Sequence, residues 1–252
     1  MALEFHRFDD VQQAAQALAG TIAADLRQAL LQRPRALLLL SGGRSPIPVL
    51  TALAAQTLAW DRIDVSLVDE RSVAPDAPAA NGALLQANLL VDAACCAHLI
   101  ELMPAAIFQA AADPWDAALQ AAQEANVNQA LEQPDVVVLG IGNDGHSASL
   151  FVDAPQWSEA TTTRSRYVAL QPQAAPYARV SLSLHALQCQ KQCYLWAAGG
   201  DKAATLAGLA QAVEQARLTP QGLAALVQAG PAIACLMADP RLVLQVYCSN
   251  AA

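Results

Sequence analysis

Hydrophobic residues along the chain recur in two alternating spacings, one helical and one typical of buried strands. A helical spacing runs from Val11 to Leu31 and is closed by Pro34, and the apolar run Ala36 to Leu40 that follows has the length of a strand. Because proline suits a first helical turn, a second helix is predicted from about Pro46 to Leu58. The next apolar run, Ile63 to Val68, completes a strand–helix–strand pattern.

The alternation continues through the middle of the chain. A helix is predicted from about Asn81, and a long alanine-rich helix capped by Asp113 is predicted to reach about Leu131. The β-branched run Asp135 to Gly140 is typical of a central parallel strand. Later strands are predicted at Tyr167 to Leu170, Val180 to Leu184 and Tyr194 to Ala198, and a further helix is predicted to start at Gly199. The pattern indicates one α/β domain over residues 1–252, with a mostly parallel sheet and helices on both faces.

The composition limits the partners that such a domain can have. Hydrophobic residues make up 55% of the chain and charged residues 14%, so a full core can be buried. No apolar run approaches the roughly 18 residues of a membrane span, and the N-terminus lacks the pattern of a secretory signal. We therefore expect a cytoplasmic protein without a membrane partner, either a monomer or a small homo-oligomer. The net charge of -8 and an aromatic content of 5% oppose nucleic-acid binding.

Six cysteines form no CxxC pair, and most of them have apolar neighbours in the sequence. This pattern indicates reduced thiols in the core rather than a disulfide framework or a zinc site, so no metal is expected.

The segment Ser41, Gly42, Gly43, Arg44 joins a predicted strand to the start of a helix. Free backbone N–H groups and the helix dipole at such a point can hold a phosphate or a carboxylate. A tight turn that needs glycine for its backbone angles explains the same residues equally well. The spacing is not that of a Walker loop.

Three charged residues, Asp69, Glu70 and Arg71, follow the next predicted strand directly, where a solvated turn more commonly has Gly, Asn or Pro. A binding role is favoured here. Arg71 can bind a phosphate or carboxylate through two hydrogen bonds, and Asp69 can orient it or accept hydrogen bonds from sugar hydroxyls.

The segment from Gly140 to His146 satisfies the GxGxxG pattern after a strand, yet it does not fit a dinucleotide site. The pattern lies past the middle of the chain, Asp144 stands where a pyrophosphate would sit, and no acidic residue follows at the distance needed for ribose recognition. His146 is instead predicted to be a general base, because histidine is the side-chain type that can exchange a proton near neutral pH and a carboxylate lies two residues before it. Asp144 is predicted as a second catalytic residue, with either Asp144 or Asp69 orienting the histidine or substrate hydroxyls. Ser147 and Ser149 are expected to cap a helix, not to act as nucleophiles.

Two further cations, Arg179 and Lys202, are predicted at the ends of secondary-structure elements. Around one pocket they would join Arg71 and explain how an acidic protein binds an anion. Arg164, Arg166 and Lys191 are expected to be solvated.

Taken in order, the motifs SGGRSP (41–46), VDER (68–71), GIGNDGHSASLF (140–151) and RVSLS (179–183) resemble the 6-phosphogluconolactonase family. The resemblance implies a Rossmann-like α/β fold and hydrolysis of 6-phosphoglucono-δ-lactone to 6-phosphogluconate without a metal or organic cofactor. It also implies that His146 is the catalytic base and that Arg71, Lys202 and Arg179 bind the phosphate. Arg44 departs from the family, which usually has Ser or Thr there, and could add a charge to the phosphate site.

Three other functions are weighed against this one. Glucosamine-6-phosphate deaminases or isomerases resemble the fold but usually have an Asn-Glu pair soon after Asp-Gly-His, whereas no acid follows His146 before Asp153. A sugar-phosphate sensor of a transcription regulator would need a DNA-binding segment ahead of the first predicted strand, where little chain is left. A dehydrogenase is the weakest of the three. The chemistry favours the lactonase, since lactone hydrolysis needs a positioned water, a base and charge stabilisation but no covalent nucleophile.

Overall fold

The computed structural model describes residues 2–198 and 200–249, so Gly199, at which a helix was predicted to start, lies outside the described residues. In chain order the strands and helices are β1 (Ala2–Phe8), α1 (Val11–Gln32), β2 (Ala36–Leu40), α2 (Ile47–Ala54), β3 (Ile63–Leu67), β4 (Asp69–Arg71), α3 (Asn81–Asn88), β5 (His98–Leu99), α4 (Ala105–Ala110), α5 (Pro114–Val127), β6 (Val136–Gly140), α6 (Trp157–Thr162), β7 (Tyr167–Leu170), β8 (Arg179–Leu182), α7 (Leu184–Gln188), β9 (Cys193–Ala198), α8 (Gly200–Ala216), α9 (Pro220–Ala229), α10 (Ala232–Ala238) and β10 (Val243–Ser249).

Seven strands form a wholly parallel sheet in the order β1-β10-β9-β6-β2-β3-β5. All five residues of β2 and of β3 are buried, because helices cover this part of the sheet. Helix α1 buries a stripe of small and branched residues that includes Leu18, Ile22 and Leu26, and it packs against β1, β2, β6 and β10. The predicted α/β fold with a mostly parallel sheet is confirmed.

A second sheet of three antiparallel strands, in the order β4-β8-β7, stands beside the parallel one. Two of the later strands predicted from the sequence belong to this small sheet. Helix α5, which Asp113 caps as predicted, packs against β7 and β8. Because β4 begins two residues after β3 ends, the chain passes directly from the parallel sheet into the antiparallel one.

Strands β1 and β10 were not predicted, and the first strand is therefore β1 rather than the run from Ala36. The two strands pair in parallel along seven residues, from Ala2 opposite Val243 to Phe8 opposite Ser249. Helix α2 ends at Ala54, short of the predicted Leu58.

Two expectations about exposure are wrong. Cys193, Cys235 and Cys248 are buried as expected, but Cys95, Cys96 and Cys189 are exposed, because local sequence does not show which side of an element faces the core. Arg166 is not simply solvated, since its guanidinium donates to three backbone carbonyls at and beyond the end of α5, those of Ala125, Asn126 and Asn128. None of the described helices is both long and apolar enough to cross a bilayer.

Candidate active site

An open cleft of about 200 Å³ lies at the carboxyl ends of the central strands. Side chains that follow β2, β3 and β6 reach it, as the topology of a parallel sheet requires. Its lining contains every predicted site residue except Asp144: Ser41, Gly42, Gly43, Arg44, Asp69, Arg71, His146, Arg179 and Lys202. Asp144 lies just outside the lining and contacts His146.

The turn after β2 forms one wall of the cleft. Gly43 has a φ of +85°, a conformation that favours glycine. A Cβ at Gly42 would lie 2.1 Å from the Asn81 side chain, so only glycine fits there. The Ser41 hydroxyl accepts a hydrogen bond from the Gly140 N–H at 2.9 Å and so links the ends of β2 and β6.

The backbone N–H groups of residues 42–45 donate to no acceptor within the described parts of the chain. They lie just before helix α2, whose N-terminal end carries a partial positive charge. The tight-turn explanation of the glycines is therefore met, and binding of an anion by these N–H groups stays a prediction.

Strand β4 presents its charged side chains to alternate sides, as a strand must. Asp69 and Arg71 line the cleft. The Asp69 carboxylate accepts a hydrogen bond from the Ser149 hydroxyl at 2.5 Å, and the Arg71 guanidinium donates to the carbonyl of Ala79 at 2.7 Å.

Glu70 faces the opposite way and caps helix α3. Its carboxylate accepts hydrogen bonds from the backbone N–H groups of Arg71 at 2.6 Å, Asn81 at 2.8 Å and Gly82 at 2.7 Å. Burial raises the pKa of Glu70 to about 7, while those hydrogen bonds act in the lowering direction. No local pattern indicated this role of Glu70, because the helix that it caps begins eleven residues later.

His146 lies in a turn that holds its imidazole next to a carboxylate. Its Nδ1 lies 2.5 Å from Oδ1 of Asp144, whose oxygen also accepts from the His146 backbone N–H at 3.2 Å. Partial burial acts to raise the pKa of Asp144, but the charge and hydrogen bonds of His146 outweigh it, and the pKa of that carboxyl lies below its ordinary value. A Cβ at Gly142 would come within 2.2 Å of the imidazole, which explains the glycine at that position.

The imidazole of His146 also stacks on the ring of Phe151, with 4.0 Å between ring centroids and 25° between planes. The Arg179 guanidinium lies over the same phenyl ring, with Cζ 5.3 Å from the centroid. Arg179 is only 6% exposed. It donates to the Ser149 hydroxyl and to the Pro176 carbonyl, and burial lowers its pKa.

Lys202, in the first turn of α8, reaches the cleft from the other side. Its ammonium group donates to the Ser45 hydroxyl at 2.6 Å, and burial lowers its pKa. Arg44 is exposed beside it. Three cations, Arg44, Arg71 and Lys202, thus face one cleft on an acidic protein. The described residues contain no group of three or more His, Cys, Asp or Glu side chains that could hold a metal ion.

The expectation that Ser147 and Ser149 cap a helix is wrong, because the chain forms turns here and the next helix, α6, begins only at Trp157. The Ser147 hydroxyl donates to the Gly140 carbonyl at 2.8 Å, and Ser149 links Asp69 to Arg179. Both serines are at least 99% buried, which is unsuitable for a nucleophile. Along with Glu70, the sequence analysis gave no individual role to Asn81 or Phe151, whose contacts come from chain reversals that no local pattern shows.

The cleft combines an imidazole that is held by a carboxylate with several positively charged side chains in the same lining. Such a site suits the binding of a phosphorylated substrate and the movement of a proton to or from it. A family model described as glucosamine-6-phosphate isomerases/6-phosphogluconolactonase matches residues 9–231. The chain therefore belongs to this family of sugar-phosphate enzymes.

Within the family, several relatives named 6-phosphogluconolactonase match this chain. The enzyme of that name from Mesorhizobium japonicum is 40% identical over 182 residues, which cover 71% of this chain and 73% of the relative. The one from Pseudomonas aeruginosa is 39% identical over 210 residues, covering 82% and 84%. The crystal structure of a 6-phosphogluconolactonase from Shewanella baltica OS155 has a TM-score of 0.83 at 30% identity and covers 98% of this chain and 97% of its own. The resemblance seen in the sequence motifs is confirmed.

Proposed function

We propose that the protein hydrolyses 6-phospho-D-glucono-1,5-lactone to 6-phosphogluconate, using His146 as the general base, and that it does so in the cytoplasm. The observation that carries the proposal is the contact between His146 Nδ1 and Asp144, in a cleft whose other side chains include Arg71 and Lys202. The relatives' shared name supplies the substrate class.

The hydrogen bond to Asp144 determines which imidazole nitrogen acts. When Nδ1 carries the proton and donates it to the carboxylate, the lone pair of Nε2 is free to take a proton from water. That water attacks C1 of the lactone, and the C1–O bond of the ring then breaks. The imidazolium returns its proton to the departing ring oxygen, and the ionised Asp144 stabilises the positive charge in the meantime.

Phosphate binding is assigned to the opposite part of the cleft. Arg71 can offer a pair of donors, Lys202 a single charge, and the turn of Ser41, Gly42 and Gly43 its free backbone N–H groups. Exposed Arg44 adds a charge at the rim. Arg179 is buried in the lining of the same cleft and adds positive potential there. Binding the remote phosphate aligns the lactone with the water and the imidazole.

Asp69 has a supporting role in this proposal. It is held by Ser149 and lies beside Arg179, where it can accept hydrogen bonds from substrate hydroxyls. An isomerase of the same family would need further acid–base carboxylates, and Asp69 is the one carboxylate among the described residues of the cleft lining. The geometry therefore favours the hydrolase.

The direct test measures acid release from freshly made 6-phosphogluconolactone in a pH-stat, corrected for spontaneous opening. Replacing His146 by Asn removes the base and keeps a polar side chain, and we expect kcat to fall by roughly 10²- to 10⁴-fold. His185→Asn serves as the matched control, because His185 lies on α7, outside the cleft. A His146→Asn enzyme with near wild-type turnover would refute the general-base role.

A further inference from the structure

We propose that Phe151 is a positioning residue for the reaction, and that its ring fixes the plane of the His146 imidazole so that Nε2 points at the water. The inference rests on the proposed role of His146. It concerns a residue to which neither the sequence motifs nor the mechanism above gives a task.

One hydrogen bond does not orient an imidazole fully. The contact with Asp144 fixes the position of Nδ1, but the terminal torsion of a histidine has a broad energy profile, and the ring can still pivot about that contact. A stacked neighbour removes this freedom, because rotation would break the contact between the two faces. The ring of Phe151, with a centroid distance of 4.0 Å and an interplanar angle of 25°, supplies that neighbour.

The turn between the two residues is built to bring them together. Ser147 and Leu150 form an isolated antiparallel bridge, and Ala148 between them has a φ of +49°, which is unusual for a residue with a Cβ. The Ser149 hydroxyl anchors the turn to Asp69. The chain therefore reverses after His146 and returns Phe151 beneath the imidazole.

Phe151 is itself held firmly. It is 6% exposed, and the guanidinium of the buried Arg179 lies over its ring. Arg179 is in turn fixed by Ser149 and by the Pro176 carbonyl. The imidazole thus rests on a ring whose own position is set by strand β8, a rigid element.

The electron-rich face of Phe151 also suits the protonated state. A positive charge is attracted to the face of an aromatic ring, so the imidazolium formed during the reaction keeps the stack rather than breaking it. The same ring can therefore orient His146 both when it takes the proton and when it returns it.

The test replaces Phe151 by Leu, which is apolar and of similar bulk but has no flat face. We expect kcat for the lactone to fall roughly tenfold with KM changed less than twofold, because the ring contacts the base and is not part of the cleft lining. Phe108→Leu is the matched control, since it makes the same change in a partly buried phenylalanine of α4, outside the cleft, and its kcat should stay within twofold of wild type.

A second measurement needs no substrate, and its first part uses the wild-type protein alone. In the wild-type protein, NMR of the His146 ring should show upfield ring-current shifts of its carbon-bound protons and ¹⁵N shifts typical of the Nδ1–H tautomer. In Phe151→Leu the ring-current shifts should vanish and the tautomers should mix. Absence of the ring-current shifts in the wild type, or unchanged kcat and tautomer in the variant, would overturn the proposal. An active His146→Asn enzyme would instead refute the general-base role of His146. The NMR test of the stacking between His146 and Phe151 does not depend on that role.

Discussion

Short contacts around single residues determine what His146 can do. Asp144 holds one ring nitrogen, the absence of a side chain at Gly142 makes room for the ring, and Phe151 supports its face. The sequence could predict His146 and Asp144, because both belong to one short motif and differ from their surroundings in chemistry. It could not predict the contact with Phe151, since that depends on a left-handed Ala148 that no residue pattern indicates.

Replacing Asp144 by Asn tests the orienting carboxylate. The amide keeps the size of the side chain but loses the negative charge that stabilises the imidazolium, so we expect kcat to fall roughly 10- to 100-fold with KM nearly unchanged. Steady-state kinetics on the lactone measures both. Asp153→Asn is the control, because Asp153 is an exposed carboxylate whose partner is the Ala174 N–H. Equal kcat in wild type and Asp144→Asn would remove Asp144 from the mechanism.

Among the secondary-structure elements, β4 is the clearest example of a strand that the local sequence does not predict. The apolar runs of β2 and β7 gave the bounds of both strands correctly, because each is buried along its whole length. The three charged residues of β4 have no strand pattern in the sequence, and they form a strand only because β8 pairs with them, with Asp69 opposite Ser181. Such pairing depends on tertiary structure, which overrides local propensity.

The cap that β4 provides for α3 predicts a pH dependence of stability. Glu70 has an ordinary pKa of 4.5 and a folded pKa of about 7, so the folded protein binds this proton more tightly than the unfolded chain does. The resulting stabilisation is fully present below about pH 4.5 and is lost as the pH rises through about 7. Relative to Glu70→Gln, which does not titrate, wild type should lose up to about 3 kcal/mol of unfolding free energy across this range.

Urea denaturation of both proteins at pH 4.5, 6 and 8 measures this difference. Glu101→Gln, which alters an exposed carboxylate, controls for the loss of one charge. A difference in unfolding free energy between wild type and Glu70→Gln that does not change with pH would show that Glu70 is ionised throughout the range.

At the level of the whole molecule, positive charge is concentrated in one cleft although the chain as a whole is acidic. The chain carries a net charge of -8, yet Arg44, Arg71, Arg179 and Lys202 converge on one cleft. The sequence could predict this convergence, because each cation follows or begins an element whose end lies at the same edge of a parallel sheet. It could not predict their different exposures, and Arg179 proves to be buried while Arg44 is exposed.

This convergence predicts a preference for phosphorylated substrates. Arg71→Ala and Lys202→Ala should each raise KM for the phosphorylated lactone by roughly 10- to 100-fold, because a charge-assisted hydrogen bond to phosphate is lost. Hydrolysis of unphosphorylated glucono-δ-lactone should change little. Lys191→Ala, a cation outside the cleft, is the control. Equal loss on both lactones would mean that Arg71 and Lys202 do not bind the phosphate.

The pairing of β1 with β10 affects when the parallel sheet can be completed during synthesis. Strand β1 is synthesised before every other described strand, and its one neighbour in the described sheet is β10, which is synthesised after all of them. During translation β1 therefore keeps its backbone donors and acceptors unpaired until β10 has been made, and in that interval it is exposed to association with other nascent chains. Completion of this sheet edge is thus delayed until the rest of the described sheet has been synthesised.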